Sequence, residues 1–279
     1  MSAGAGGGSG ARGSGGSGAS GAGASGARGS GASGGSGGSG ARSRRTPGPR
    51  VATDALLLRK VAYGEADAVV TLFTEARGVV PAIARAARKS SKRFGALEPL
   101  HLLRVTFEDK PGAELCLLTE AQLAAPRMGV LGSLASIEVA SVALSWVRRA
   151  SPQRVAEPAL WRDVNELLDA LDAGPSPEAA KAQLASMGLR LLQGAGWGLQ
   201  LDWCVRCGRE CAPEATACID GAQGGLVCRA CGGARLVLRP ARRRALRAAL
   251  EGDTATLADE DAACAIELVT ATLEAHAAS

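Results

Sequence analysis

The sequence predicts an α+β chain: a small five-stranded barrel first, a helical bundle second, and a cysteine module inserted among the helices. Three observations carry this. Short apolar runs bounded by Gly, Pro and charged residues fill the stretch from Val51 to Leu118. After Pro126, apolar residues recur at spacings of three and four. Two Cys-x-x-Cys pairs stand between Asp202 and Gly233.

Residues 1–50 precede all of this and are of another kind. They hold 20 of the 38 glycines, six arginines and no acid, so they contribute +6 to a formal charge of +5. The remaining 229 residues are therefore close to neutral, at −1. With only Gly, Ser, Ala and Arg in quantity, the segment has nothing to bury against the entropy of ordering, and a disordered tail is expected over 1–50. Its arginines can graze a polyanion, but an unselected extension explains the composition as well. No apolar run approaches the ~20 residues of a membrane span, and no signal-peptide core opens the chain. A cytoplasmic protein is the expectation, and its eight cysteines then point to thiols or metal, not a disulfide framework.

The strands are expected at Val51–Lys60, Ala66–Glu75, Val79–Ala84, Pro99–Phe107 and Glu114–Leu118, with a turn at Arg77-Gly78. Five short strands over 51–125 suit an OB-type barrel. Periodicity alone leaves an SH3-like barrel open. From 126 to 279 the pattern is helical. Ser133–Arg149 places Ile137, Ala140, Leu144 and Val147 on one face, and Trp161, Val164, Leu168 and Leu171 do the same. Ser176 or Pro177 starts a further helix through Leu184 and Leu191, and two more follow at about 240–251 and 259–277.

Within this helical part, residues 202–233 break the pattern. Cys204-Val-Arg-Cys207-Gly and Cys228-Arg-Ala-Cys231-Gly are two knuckles, each presenting two sulfurs from one tight turn, each followed by glycine. Four soft, deprotonable donors are what tetrahedral zinc requires. A redox Cys-x-x-Cys has no need of a second copy. Cys204, Cys207, Cys228 and Cys231 are thus the expected ligands of one zinc ion, structural because four sulfurs leave no open position. Cys211 or Cys218 could substitute for one of the four, but they are less regularly spaced and are left outside the set. Cys116 and Cys264 lie in apolar runs and read as small core residues.

The second candidate site is cationic. Between Glu75 and Glu98 there is no acid, and Arg85, Arg88, Lys89, Lys92 and Arg93 put five positive charges into nine residues. With Ser90, Ser91 and Gly95 they look like a mobile loop leaving a strand, dense enough in charge for phosphate contacts. A solvated charge run is the plain alternative. Aromatics are scarce, since Tyr63, Phe73, Phe94 and Phe107 are the barrel's only ones and most are needed inside. Binding should lean on charge, with steep salt dependence. Arg242, Arg243, Arg244 and Arg247 form another cluster, read as a wet helix face in preference to a second DNA surface.

These residues also resemble a known family. Gly64-Glu65-Ala66-Asp67, Phe73-Thr74-Glu75-Ala76-Arg77-Gly78, the basic run Arg85–Arg93 and Leu97-Glu98-Pro99 follow the order of the N-terminal OB domain of bacterial RecO proteins. The stretch LRLLQGAGWGLQLDWCVRCG and the later GGLVCRAC are similar to that family's helix and paired knuckles. The likeness covers about residues 51–250; the long tail is outside it. It implies a recombination mediator that binds single- and double-stranded DNA and anneals complementary strands. Such proteins act with RecR, engage the acidic C-terminal tail of single-stranded-DNA-binding protein and so help RecA load, and they are nucleoid-associated. It also puts the five cations in the family's basic loop and the four cysteines on the zinc ligands of members that have them.

The expectation is therefore a non-enzymatic DNA-binding and annealing factor. Its alternative is a protein-interaction adaptor whose helical part captures a partner's tail with little direct DNA binding. No paired catalytic carboxylates, Walker or Rossmann loop, or nucleophile elbow occurs, and His101 and His276 have no evident catalytic partner.

Overall fold

The computed structural model describes residues 48–277. The tail expected over 1–50 falls outside the described residues up to position 47. Five strands come first: β1 (Arg50–Tyr63), β2 (Asp67–Thr74), β3 (Gly78–Ala84), β4 (Leu102–Glu108) and β5 (Cys116–Ala125). They close into a barrel in the order β1-β2-β3-β5-β4, antiparallel except where β3 meets β5. That order, with its one parallel pair, is the OB arrangement and removes the SH3-like alternative.

Alternation at period two sorts the wall. Ala55, Leu57, Val70, Leu72, Val80, Ala82, Leu103, Val105, Phe107 and Leu118 fill the interior. A bulge in β1 between Leu57 and Arg59 admits one extra residue, Leu58. The basic segment between β3 and β4 is not a plain loop. It turns at Ala86, whose φ is +56°, and then forms a one-turn helix, α1 (Ser91–Phe94). Phe94 and Leu97 drop from it into the barrel core.

The helical part opens with a short turn, α2 (Met128–Leu131), followed by α3 (Leu134–Ala150), α4 (Pro158–Asp172) and α5 (Pro177–Gly194). Ser133 and Ser176 cap α3 and α5, accepting the amides of Ser136 and Ala179 at 3.3 and 3.2 Å. Pro177 sits at the first helical position, where a missing N–H costs nothing. α6 (Pro240–Leu250) and α7 (Asp259–Ala277) complete the bundle around α5. Between α5 and α6 lies a three-stranded sheet of very short strands, β6 (Ala217–Asp220), β7 (Gly225–Val227) and β8 (Leu236–Leu238), ordered β7-β6-β8. Ile219, Leu226 and Leu238 of this sheet join the bundle's buried cluster, and Thr272 of α7 donates to the carbonyl of Gly221 at 2.9 Å. No described helix is long and apolar enough to cross a membrane.

Barrel and bundle share that same cluster. Leu56, Phe73 and Val79 point outward from the barrel and are buried among the helices, with Phe73 tilted against Trp161 at 5.5 Å. Arg127 is buried at the junction, its guanidinium donating to Asp169 and Asn165 of α4 at 2.8 Å each. His101 accepts the Arg127 amide through Nδ1 at 3.0 Å, and His276 stacks on Trp197 with ring centres 4.8 Å apart. Both histidines thus have structural partners. At the tightest point Gly78, with φ +59°, lies against the backbone of Val155, and Arg154 donates its amide to Val79 at 2.8 Å. A Cβ at position 78 would overlap the Val155 carbonyl. Gly78→Ala should therefore destabilise the chain by about 2 kcal/mol or more, from left-handed strain plus the overlap; denaturant titration of the purified variant measures it.

Candidate metal centre and nucleic-acid interface

The four predicted cysteines come together. Their sulfurs lie within 4.8 Å of one another, and Cys207 and Cys228 are 3.7 Å apart. A tetrahedron with metal–sulfur bonds of about 2.3 Å has edges of about 3.8 Å, so the donor set has the size a soft divalent metal requires. The local fold explains it. The Cys204 amide donates to Arg209 and its carbonyl accepts from Gly208, closing the first knuckle at 2.8 and 2.9 Å. Cys231 donates to Cys228 at 2.9 Å to close the second. Gly208 and Gly232 leave the knuckles at φ +69° and +100°, conformations that a side chain resists.

Electrostatics divide the four thiols. The Cys228 amide, 3.3 Å from the Cys204 sulfur, holds that thiol down to about 6. Cys231 is pushed up to about 12 by hydrogen bonds with Cys228 and Cys207, then by burial. Four thiols in one site cannot all shed protons without a cation among them. These residues can hold a metal ion, and a closed four-sulfur shell would leave that ion no open position. Cys211 and Cys218 stand apart from the four. Cys116 and Cys264 are buried, and burial pushes both thiols up, Cys116 to about 11.

The five barrel cations are all exposed, spread over the turn and α1. Among the described residues none of the five forms an ion pair. Their backbone is fixed nonetheless. Asp67 accepts the Ala86 amide at 2.8 Å, Ala66 accepts that of Arg88 at 3.0 Å, and Arg93 lies over the Phe94 ring at 5.0 Å. The mobile loop of the sequence reading is thus a pinned segment. Tyr63, paired with Asp67, is at the same end of the barrel and 60% exposed. The other three barrel aromatics, Phe73, Phe94 and Phe107, are buried.

The second arginine cluster is otherwise placed. Arg243 is only 1% exposed and donates to the carbonyls of Cys211 and Ala212 at 2.8 Å each. Arg242 pairs with Asp261 and Glu260, Arg244 with Glu214, and Arg247 with Asp202. The expected wet face is a set of ion pairs that seats α6 against α7 and the cysteine module.

Comparison with known proteins agrees with this architecture. The family model described as "Recombination protein O N terminal" matches residues 50–127, and "Recombination protein O C terminal" matches 132–279. The chain belongs to the RecO family. Curated members include the DNA repair protein RecO of Anaeromyxobacter sp. strain Fw109-5, 39% identical over 65% of this chain and 70% of the relative. That of Anaeromyxobacter dehalogenans strain 2CP-C is 36% identical over 81% and 91%, and that of Myxococcus xanthus is 36% identical over 66% and 73%. Within the RecO family spans, the barrel cations and Tyr63 fall in the N-terminal match and the four cysteines in the C-terminal one.

Replacing Cys204 and Cys207 by Ser should strip the metal from the purified protein, measured by elemental analysis, with a lowered melting temperature, because metal-binding energy is folding energy here. Metal affinity should weaken as pH falls, and more steeply near 6, where the Cys204 thiolate takes up its proton. Competition with a chromophoric chelator from neutral to mildly acidic pH reads this directly.

Proposed function

We propose that this chain is a non-enzymatic DNA-binding and strand-annealing mediator of recombinational repair. Its curated relatives carry the name DNA repair protein, and repair is the process in which we place it. The observation that carries the proposal is the segment Arg85, Arg88, Lys89, Lys92 and Arg93. These cations are exposed, close together, free of carboxylate partners among the described residues, and held by backbone contacts at the end of an OB barrel. Cations in that state release phosphate counterions without first breaking an ion pair. Tyr63 beside them offers one exposed ring for stacking. Two strands held against such a surface repel each other less, which favours pairing of complementary sequences. We assign the barrel, residues 51–125, the DNA-binding role, and the helical part, 126–279, the partner-binding role. One zinc ion on Cys204, Cys207, Cys228 and Cys231 is assigned to hold the inserted module at 202–233.

The partners we assign are single- and double-stranded DNA, RecR, and the acidic tail of single-stranded-DNA-binding protein, with RecA loading as the outcome, in the cytoplasm at the nucleoid. A groove of about 500 Å³ between β1 and α3 supports the tail assignment. Leu58, Leu100, Leu131, Ile137 and Leu144 line it, and Arg59 and Arg148, neither in an ion pair among the described residues, stand at its margin. An acidic peptide with apolar side chains complements that surface.

Changing Arg88, Lys89 and Arg93 to Glu should abolish strand annealing and DNA binding; undiminished annealing overturns the assigned surface. With the same three changed to Ala, the slope of log affinity for single strands against log salt should shrink by about 2, near 0.7 for each lost contact. Arg59→Glu with Arg148→Glu should cut capture of a fluorescent acidic tail peptide about tenfold in an anisotropy titration, as expected for two charge-assisted contacts.

A further inference from the structure

Unpaired arginines also occur on the cysteine knuckles. Arg209 follows the first knuckle and Arg229 lies within the second, both are exposed, and neither forms an ion pair among the described residues. Both line one cleft of about 240 Å³, with Leu226, Val227 and Val237 as its apolar surface and Cys218 beside them. Glu210 is the one carboxylate on that lining. Trp203, immediately before the first cysteine, is outside that lining but adjoins it through a backbone bridge to Glu210, and is 49% exposed. That is unusual in this chain, where Trp146, Phe73 and Phe107 are fully buried. Within the first knuckle the Arg206 guanidinium is fixed, donating to Gln223 Oε1 and to the Cys231 carbonyl at 2.7 and 2.6 Å.

We propose that Trp203 and this cleft form a second nucleic-acid site, specific for single strands. The indole stacks on an unpaired base, Arg209 and Arg229 take the flanking phosphates, and the apolar wall receives the edge of a neighbouring base. A duplex hides its base faces, whereas a single strand presents them to any exposed aromatic ring. Two cations against one acid on the lining favour a polyanion over an acidic peptide. The four cysteines hold the two knuckles, and so the two arginines, at a set separation. This inference rests on the proposed DNA-binding function and extends it: with one surface on the barrel and another on the cysteine module, a single chain holds two strands apart and in reach of each other.

The test uses full-length, metal-loaded protein with fluorescein-labelled oligothymidylate and a duplex of equal length. Trp203→Ala should weaken oligothymidylate binding about tenfold, the usual effect of one lost stacking contact, and leave duplex binding nearly unchanged. Trp203→Phe should restore most of the loss. Arg209→Ala with Arg229→Ala should weaken oligothymidylate binding and flatten its salt dependence, and metal content should match the parent in every variant. Parent-like oligothymidylate binding by both Trp203→Ala and the double arginine variant, metal retained, overturns the proposal. So does an equal loss on duplex and single strand in Trp203→Ala. Neutral knuckle variants combined with complete loss in the Arg88, Lys89, Arg93 variant would leave the barrel assignment standing and remove this one. The reverse pattern would remove the barrel assignment and leave the cleft.

Discussion

A closed barrel turns half of each strand's side chains outward, and what covers that outer wall decides what the surface can do. Here the helices cover only part of it. Leu56, Phe73 and Val79 are buried among them, and Leu58, the extra residue of the β1 bulge, packs against the same cluster. Beyond the bulge the wall is open. Val61 and Tyr63 stand exposed at the end of β1, in register with Val69 and Asp67 of β2, and the cationic turn hangs from Asp67 and Ala66. Where the bundle stops, the surface proposed to meet a polyanion begins.

Charge is divided by a similar rule. The chain carries two dense cation clusters, and only the carboxylates within reach distinguish them. Arg242, Arg244 and Arg247 each meet an acid, and Arg243 spends its donors on the carbonyls of Cys211 and Ala212. Those arginines are structural. Removing Arg243 would empty a buried position and take the donor from the Cys211 and Ala212 carbonyls, a larger loss than that of an exposed ion pair. Among the described residues the barrel cations meet no acid, and of the five only Arg93 has side-chain hydrogen bonds, to Ser90 and the Arg85 carbonyl. Local density of Lys and Arg is thus a poor guide to phosphate binding until the acids around it are placed.

This also marks how far the amino-acid sequence could be read. The five strands and the main helices were legible because each is a periodic apolar run with its own stops, and Ser176-Pro177 announced its helix by cap chemistry. The four cysteines were legible because their spacing is a local property. What stayed hidden depends on pairing between distant residues. The parallel contact of Ala82 with Cys116 separates an OB from an SH3-like barrel, and no run of neighbours encodes it. The acids opposite Arg242 and Arg247 lie 19 and 45 residues away. The strands β6–β8 span three or four residues each, too short for a period to show. The cationic segment looked mobile because its anchors, Phe94 and Leu97 in the barrel core and the hydrogen bonds to Asp67 and Ala66, are contacts that no local pattern announces. Tyr63 could not be told from the buried Phe residues, since the bulge that sets its environment leaves no mark in the pattern.

The short strands explain in turn why the inserted module depends on its cysteines. A three-stranded sheet of this size cannot stand by its own pairing, and it contributes little beyond Ile219, Leu226 and Leu238 to the common core. Without a cation the sulfurs disagree: Cys204 is held toward the thiolate and Cys231 toward the thiol, so protons remain in the site and hydrogen bonds alone join the knuckles. A metal held by the four cysteines would replace those protons and tie both knuckles to one centre. The Cys231 carbonyl accepts from Arg206, and Trp203 leads into the first knuckle through its backbone bridge to Glu210. A metal held there would give exposed side chains on a small sheet the rigidity that the barrel obtains from its own closure.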